Sequence, residues 1–221
     1  MKLTNLLKYL FLLVPLLCWM SCNTTKYLEP GESLLKKNTI NFTKGTKIKN
    51  KSNLEYQLTQ YYKQVPNKNL IWIPRQFFHY KVRDSLERSN GWKKLSKWAK
   101  ERLGEKPSIF DESLAEKTTI QMKYFLQHKG YLWADVNYRY KQKRKGKITE
   151  VTYEVSPNQQ YTIDTIIYES PDKKIEQILT EISPKSIIKQ GKPLDVDLYN
   201  QEVARIKNYL RNAGYAFFLP Q

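Results

Sequence analysis

Apolar residues along this chain fall into three spacings: one short continuous run near the start, several helical stripes, and stretches that alternate residue by residue. Leu34-Leu35 and then Ile40-Asn41-Phe42 read as an opening strand. Ser52-Asn53-Leu54-Glu55 has the form of a capping box. It predicts a helix with Leu54, Leu58, Tyr61, Tyr62 and Val65 on one face. A second helix is predicted over 112–129, burying Leu114, Ala115, Met122, Phe125 and Leu126. Gly130 ends it, where a helix C-terminus favours a left-handed residue. Residues 135–140 and 148–155 alternate with period two and predict two strands. Residues 141–147 join them as a basic hairpin tip containing Gly146. Ser156-Pro157-Asn158 then breaks the pattern, leaving the order strand, helix, helix, strand, strand.

That order begins again. Residues 161–168 predict a strand, and Ser170-Pro171-Asp172 a helix start with proline at the first helical position. Ile175, Ile178, Leu179 and Ile182 form its stripe. Asp195 opens the next helix, with Leu198, Tyr199, Val203, Ile206, Tyr209 and Leu210 inward, Gly214 stops it, and Ala216-Phe217-Phe218-Leu219 starts a strand. Asp111, Leu114, Lys123, Leu126, Gly130 and Tyr131 recur as Asp195, Leu198, Lys207, Leu210, Gly214 and Tyr215, each 84 residues later. A constant offset from helix cap to Gly-Tyr is the mark of an internal repeat. The second copy lacks its hairpin, so 221 residues are expected to be a fragment.

The continuous run sits in residues 9–17, after Lys2 and Lys8 and before Trp19-Met20-Ser21-Cys22. A basic start, a short apolar core and a small residue before a cleavage point describe a secretory signal peptide over 1–21. A membrane-spanning helix needs about 18 apolar residues, and Pro15 with polar Thr24-Thr25-Lys26 leaves this run short. Ser21-Cys22 resembles a bacterial lipobox, in which the cysteine receives diacylglycerol; the alternative is an ordinary signal peptide followed by a free thiol. A lone exposed thiol is a liability in an oxidising compartment, which favours lipidation of Cys22. Residues 22–33 read as a polar tether.

Net charge is +17, or +15 without Lys2 and Lys8. Such a balance suits nucleic acid or anionic lipid, and export argues against nucleic acid. Residues 67–107 interrupt the first copy with eleven Lys or Arg, four Asp or Glu, and Trp72, Trp92 and Trp98. Two readings of this insertion stand: a helix packed through Trp92, Leu95, Ala99 and Leu103 with a solvated basic face, or a contact for a partner or anionic lipid with tryptophans at the interface.

Chemistry is sparse. His79 and His128 are the only histidines, and His128 lies in a last helical turn, where a cation complements the dipole. Glu101 and Glu105 are flanked by Lys97, Lys100, Arg102 and Lys106, the pattern of a solvated ion-pair face. No metal-ligand spacing, phosphate loop or nucleophile elbow occurs. No catalytic residue, metal or cofactor is expected, and the mature chain reads as a binding module.

A strand-helix-helix-strand-strand unit with Gly-Tyr after its second helix resembles the POTRA domain, found in tandem before outer-membrane β-barrels. Gly104-Glu105-Lys106-Pro107-Ser108-Ile109-Phe110-Asp111 resembles a stretch in the lipoprotein branch of the TamA/BamA family, called TamL. Ser21-Cys22-Asn23-Thr24-Thr25-Lys26-Tyr27-Leu28 and Gly31-Glu32-Ser33-Leu34-Leu35-Lys36-Lys37-Asn38 are similar to that family's mature N-terminus. The resemblance extends over essentially all of the chain and departs in one respect, that the family's barrel is not among these residues. It implies an α+β fold of tandem POTRA-like domains: 34–157 with the helical insertion 67–107, and an incomplete second domain over 158–221. It also implies a protein anchored by lipid on the periplasmic side of the outer membrane. Its partners would be unfolded outer-membrane protein clients and a periplasm-spanning translocation partner.

In POTRA domains the hairpin's second strand pairs with the opening strand. By that resemblance Asp135, Val136, Asn137, Tyr138, Arg139, Tyr140 and Lys141 lie at a sheet edge, where an extended client or partner strand docks by β-augmentation. Pro220, in the matching strand of the second copy, fits an edge because proline cannot donate to a ladder. The other function classes are an envelope protein binding anionic lipid or polysaccharide through its basic insertion, and a hydrolase with an unrecognised site.

Overall fold

A computed structural model describes residues 24–43, 48–71, 73–86, 98 and 101–216. The signal peptide, Cys22, Trp72, Trp92, Leu95, Ala99 and the expected strand at 216–219 with Pro220 lie wholly or largely outside these residues. The chain is mixed α+β. Its elements are β1 (Leu34–Phe42), α1 (Lys51–Thr59), β2 (Asn69–Leu70), β3 (Ile73–Pro74), α2 (Arg75–Leu86), α3 (Glu112–His128), β4 (Asp135–Lys143), β5 (Ile148–Ser156), α4 (Lys173–Ile182) and α5 (Val196–Asn212). The three long strands form one sheet in the order β1-β5-β4, and β2-β3 form a separate ribbon. β5 follows period two closely, burying Thr149, Val151, Tyr153 and Val155. Chain contacts divide the protein into two compact units: residues 1–39 with 64–112 and 140–151, and residues 40–63 with 113–139 and 152–221.

In the first unit Ser33, Leu34 and Leu35 are buried, and the Ser33 and Thr149 hydroxyls bond at 2.7 Å. The Gly104–Asp111 motif clamps this strand start. Leu35 N–H donates to Ser108 O (2.8 Å), Phe110 N–H donates to Ser33 O (2.7 Å), and Leu34 bridges Ile109 in antiparallel sense. Asn67 fastens the same motif, accepting from Ser108 N–H at 2.8 Å and donating to Lys106 O at 2.7 Å. Residues 24–33, expected as a tether, carry a 3₁₀ turn over Thr24–Tyr27, stack Tyr27 on Tyr80 at 4.5 Å and bury Leu28. Aromatic stacking supplies order that the polar composition does not advertise. The insertion opens with the β2-β3 ribbon before its helix. Glu105 ties it together, pairing with Arg75 at 2.9 Å and accepting from Lys68 N–H at 2.9 Å.

In the second unit α1 buries Leu54 and Leu58, and α3 buries Ala115, Met122 and Leu126. Tyr61 meets Phe125 at 4.9 Å between ring centroids, and Tyr62 meets Tyr153 at 5.3 Å. The expected capping box is not formed. Ser52 lies inside the helix, and the N-cap is Asn50, left-handed at φ 57°. α1 stops at Thr59, so Tyr61 and Tyr62 pack from the following turn and Val65 is exposed.

Later in this unit Leu179, Ile182 and Leu210 form a small core with Tyr168, Ile175, Ile178, Ile206 and Tyr215 against it. Asp172 caps α4, its carboxylate accepting from Lys174 N–H, so Pro171 precedes the cap and is not the first helical residue. Asp195 caps α5 as expected. Leu198, Tyr199 and Tyr209 are exposed, against expectation, while Glu202 is buried. Its carboxylate accepts from Arg205, from Tyr168 Oη at 3.1 Å and from Ile187 N–H at 3.0 Å. Burial opposes ionisation of Glu202, yet the bonds from Arg205 and Ile187 outweigh it and hold its pKa down at about 2.

The repeat is carried by backbone bonding as well as by sequence. Both second helices end in the same Schellman turn. Tyr131 N–H reaches Leu126 O and Gly130 N–H reaches Gln127 O; Tyr215 and Gly214 repeat this onto Leu210 and Arg211. Gly130 has φ +85° and Gly214 φ +98°. The clamp recurs too, with Ile163 N–H on Lys192 O (2.8 Å), Leu194 N–H on Tyr161 O (2.9 Å), and Thr162 bridging Pro193. The strand expected at 161–168 is otherwise not formed, because a strand needs a ladder and among the described residues only this short clamp pairs with it.

Candidate functional site

β4 is an edge of the sheet because β5 takes the central position. Period two sends its side chains alternately to two faces. Val136 is buried and Tyr138 half-buried, while Asp135, Asn137, Arg139, Tyr140 and Lys141 are exposed. Asp135 is held by Lys123 at 3.6 Å and by Asn137 Nδ2 at 2.8 Å. Arg139 pairs across to Glu154 at 3.0 Å. Tyr140 packs on Phe110 with ring centroids 4.9 Å apart. Among the described residues no backbone hydrogen bond runs from the 67–107 insertion to β4. The seven expected site residues are thus contiguous along one strand, with Tyr138 turned toward the half-buried side.

The hairpin tip is tighter than expected. β4 continues to Lys143, and only residues 144–147 turn. Arg144 (φ 51°), Lys145 (φ 54°) and Gly146 (φ 82°) are all left-handed, which matches the right-handed twist of the flanking strands. Lys143 pairs with Glu150 at 2.5 Å; that hydrogen bond lowers the Glu150 pKa. Lys147 N–H donates within the turn to Arg144 O at 3.3 Å, and its ammonium donates to Leu28 O at 3.3 Å.

Other polar groups resolve into structural roles. Glu105, expected on a solvated helix face, is a clamp: burial opposes its charge, while Lys68 N–H, Asn67 and Arg75 lower its pKa. Its partner Arg75 lies 30 residues away, so local charge spacing does not reveal it. Lys129 donates to Asp195 and Asp197, both at 2.9 Å. Burial disfavours its ammonium, but the bonds to Asp197 and Asp195 win and raise its pKa. Lys129 and Asp195 border a cleft of about 280 Å³ lined by Lys49, Asn53, Gln57, Tyr131 and Leu194 among others. His128 is exposed at the helix end, and His79 meets Tyr80 edge-on at 5.7 Å. Among the described residues no group of three His, Cys, Asp or Glu side chains could hold a metal ion. No helix among them is long and apolar enough to cross a membrane.

No family model matches the sequence, and no curated protein matches it either. Among solved structures the chain is similar to POTRA1-2 of the periplasmic domain of Omp85 from Anabaena, with a TM-score of 0.38 and 12% identity over 88% of this chain and 90% of that one. It is similar also to POTRA3-5 of BamA from Haemophilus influenzae, with a TM-score of 0.31 and 12% identity over 83% of this chain and 89% of that one.

Proposed function

We propose that this chain is a non-catalytic, POTRA-type periplasmic scaffold of an outer-membrane protein assembly or translocation factor. In this reading Cys22 carries the lipid that holds it to the outer membrane, and residues 34–157 and 158–221 are its two POTRA-like modules. The function is to take an extended strand of an unfolded client, or of a translocation partner, along Asp135–Lys141. The observation that carries the reading is the sheet order β1-β5-β4. Among the described residues it leaves β4 with a strand neighbour on one side only, and a sheet edge is a template for a further strand. Main-chain pairing tolerates many sequences, which suits a protein that handles varied clients. The repeated clamp and Schellman turn support two modules of one kind, and the TamL-like motifs at 21–38 and 104–111 support the family.

A photoreactive residue placed in turn at each position from 135 to 141, in the lipidated protein in cells, tests the edge. Capture of barrel precursors or a periplasmic protein from these positions, lost in Asn137→Pro or Tyr138→Pro, is the expected result. Crosslinks confined to the protein's own 67–107 insertion would end the reading.

A further inference from the structure

We propose that the tip of the β4-β5 hairpin is a membrane-surface contact that binds anionic phospholipid headgroups beside the N-terminal lipid. The proposal rests on Cys22 being the acylated residue. The hairpin tip is pinned to the chain just after that cysteine: Lys147 Nζ donates to Leu28 O, and Leu34 N–H donates to Lys147 O at 3.0 Å. Leu28 is six residues from Cys22, and six extended residues reach no further than about 20 Å. The 3₁₀ turn at Thr24–Tyr27 rises only about 2 Å per residue, which shortens the connection to about 15 Å. An acyl chain buried at Cys22 therefore keeps Leu28, and the Lys147 ammonium bonded to it, within about two Debye lengths of the bilayer surface.

Charge complementarity identifies the occupant. Residues 24–37 and 140–151 hold eight Lys or Arg against Glu29, Glu32 and Glu150. Lys143 is paired with Glu150 and Lys147 with the Leu28 carbonyl, while Lys141, Arg144 and Lys145 are exposed. The left-handed conformations of Arg144 and Lys145 place two long cationic side chains on a two-residue bend. Each Lys or Arg brought to an anionic surface favours the bound state by about fivefold. Since the acyl chains already anchor the protein, the tip adds orientation: it fixes which face of this unit meets the bilayer.

The lipidated protein carrying Gln142→Cys, spin-labelled at that exposed position, is reconstituted in vesicles of phosphatidylcholine alone or with phosphatidylglycerol. Accessibility of the label to a water-soluble nickel complex is the readout. The expected result is protection on the phosphatidylglycerol vesicles only, reversed by salt and lost when Lys141→Gln, Arg144→Gln and Lys145→Gln are combined. These three remove about a hundredfold of surface preference. Equal accessibility on both vesicles overturns the proposal, as does protection that survives the triple substitution. The label count separates the two ideas. One labelled thiol per chain marks Cys22 as blocked; a second, at Cys22, shows that the anchor itself is missing and the proposal falls with it.

Discussion

Replacing Gly130 and Gly214 by alanine, separately, isolates what the close approach at the first helix end contributes. Both glycines occupy the same Schellman position with φ of +85° and +98°. Each substitution therefore carries the left-handed penalty of an L-residue, about 1 kcal/mol. They differ in surroundings. A Cβ on Gly130 would lie 2.6 Å from Leu194 O, 3.1 Å from Tyr161 O and 3.3 Å from Leu194 Cβ, whereas one on Gly214 meets nothing within 4 Å. The first two obstacles are backbone carbonyls held by the clamp, so they cannot rotate aside. Overpacking of this kind adds about 1–3 kcal/mol. Gly130→Ala should therefore cost about 2–4 kcal/mol and Gly214→Ala about 1 kcal/mol. In melting temperature that is about 2–4 °C per kcal/mol for a chain of this size. Because melting averages over the chain, amide exchange gives the local check. The Tyr161 N–H donates to Gly130 O at 2.8 Å and should lose protection in Gly130→Ala alone. Equal destabilisation of the two variants, with Tyr161 still protected, would refute the role given to this contact.

Glu202→Ala should cost about 3–5 kcal/mol in urea unfolding, as loss of a buried ion-pair partner does. Because the folded pKa of Glu202 lies near 2 rather than 4.5, its contribution is present above pH 4.5 and lost as pH falls toward 2. That is about 3 kcal/mol by linkage, and Glu202→Gln should flatten this acid limb; an unchanged slope would contradict it. Arg75→Ala should release the insertion, read as faster amide exchange at Lys68, whose N–H the Glu105 carboxylate accepts; wild-type exchange there would show that Glu105 holds without its partner. Cys22→Ala should abolish diacylglycerol addition and move the protein out of the outer-membrane fraction. Unchanged mass and fractionation would remove the anchor.

Elements bounded by strong local signals were legible in the sequence. The alternation of β5, the Asp195 cap and the two Gly-Tyr helix ends are each written within a few residues, and the offset of 84 residues also relates Ile109 to Pro193, the two clamp positions. What escaped turns on which of two close local signals wins, or on partners far along the chain. The capping-box pattern at Ser52 lost to a left-handed Asn50 two residues earlier. The period that turned Leu198 and Tyr199 inward was sound as a helix signal but gave the wrong face, because the buried stripe of α5 is centred on Glu202 and Leu210. A glutamate facing a core reads as polar in any local window, and its burial depends on Arg205, Tyr168 and the Ile187 N–H together. For the candidate site, the edge position of β4 followed from a family resemblance, not from the residues, since alternation predicts a strand without saying which neighbour it takes.

The same strand order governs how this protein reaches its fold. The hairpin of β4 and β5 is local and closes on the microsecond scale, but β1 must wait for β5. The bond between Thr43 and Val155 spans 112 residues, and that between Ser33 and Thr149 spans 116. Pairings of such long range make folding slow. Under the proposed reading, export N-terminus first would deliver β1 long before its partner β5 arrives, with Leu34, Leu35 and Ile40 uncovered. During that interval β1 is itself an unpaired strand, open to stray edge pairing until β5 covers it.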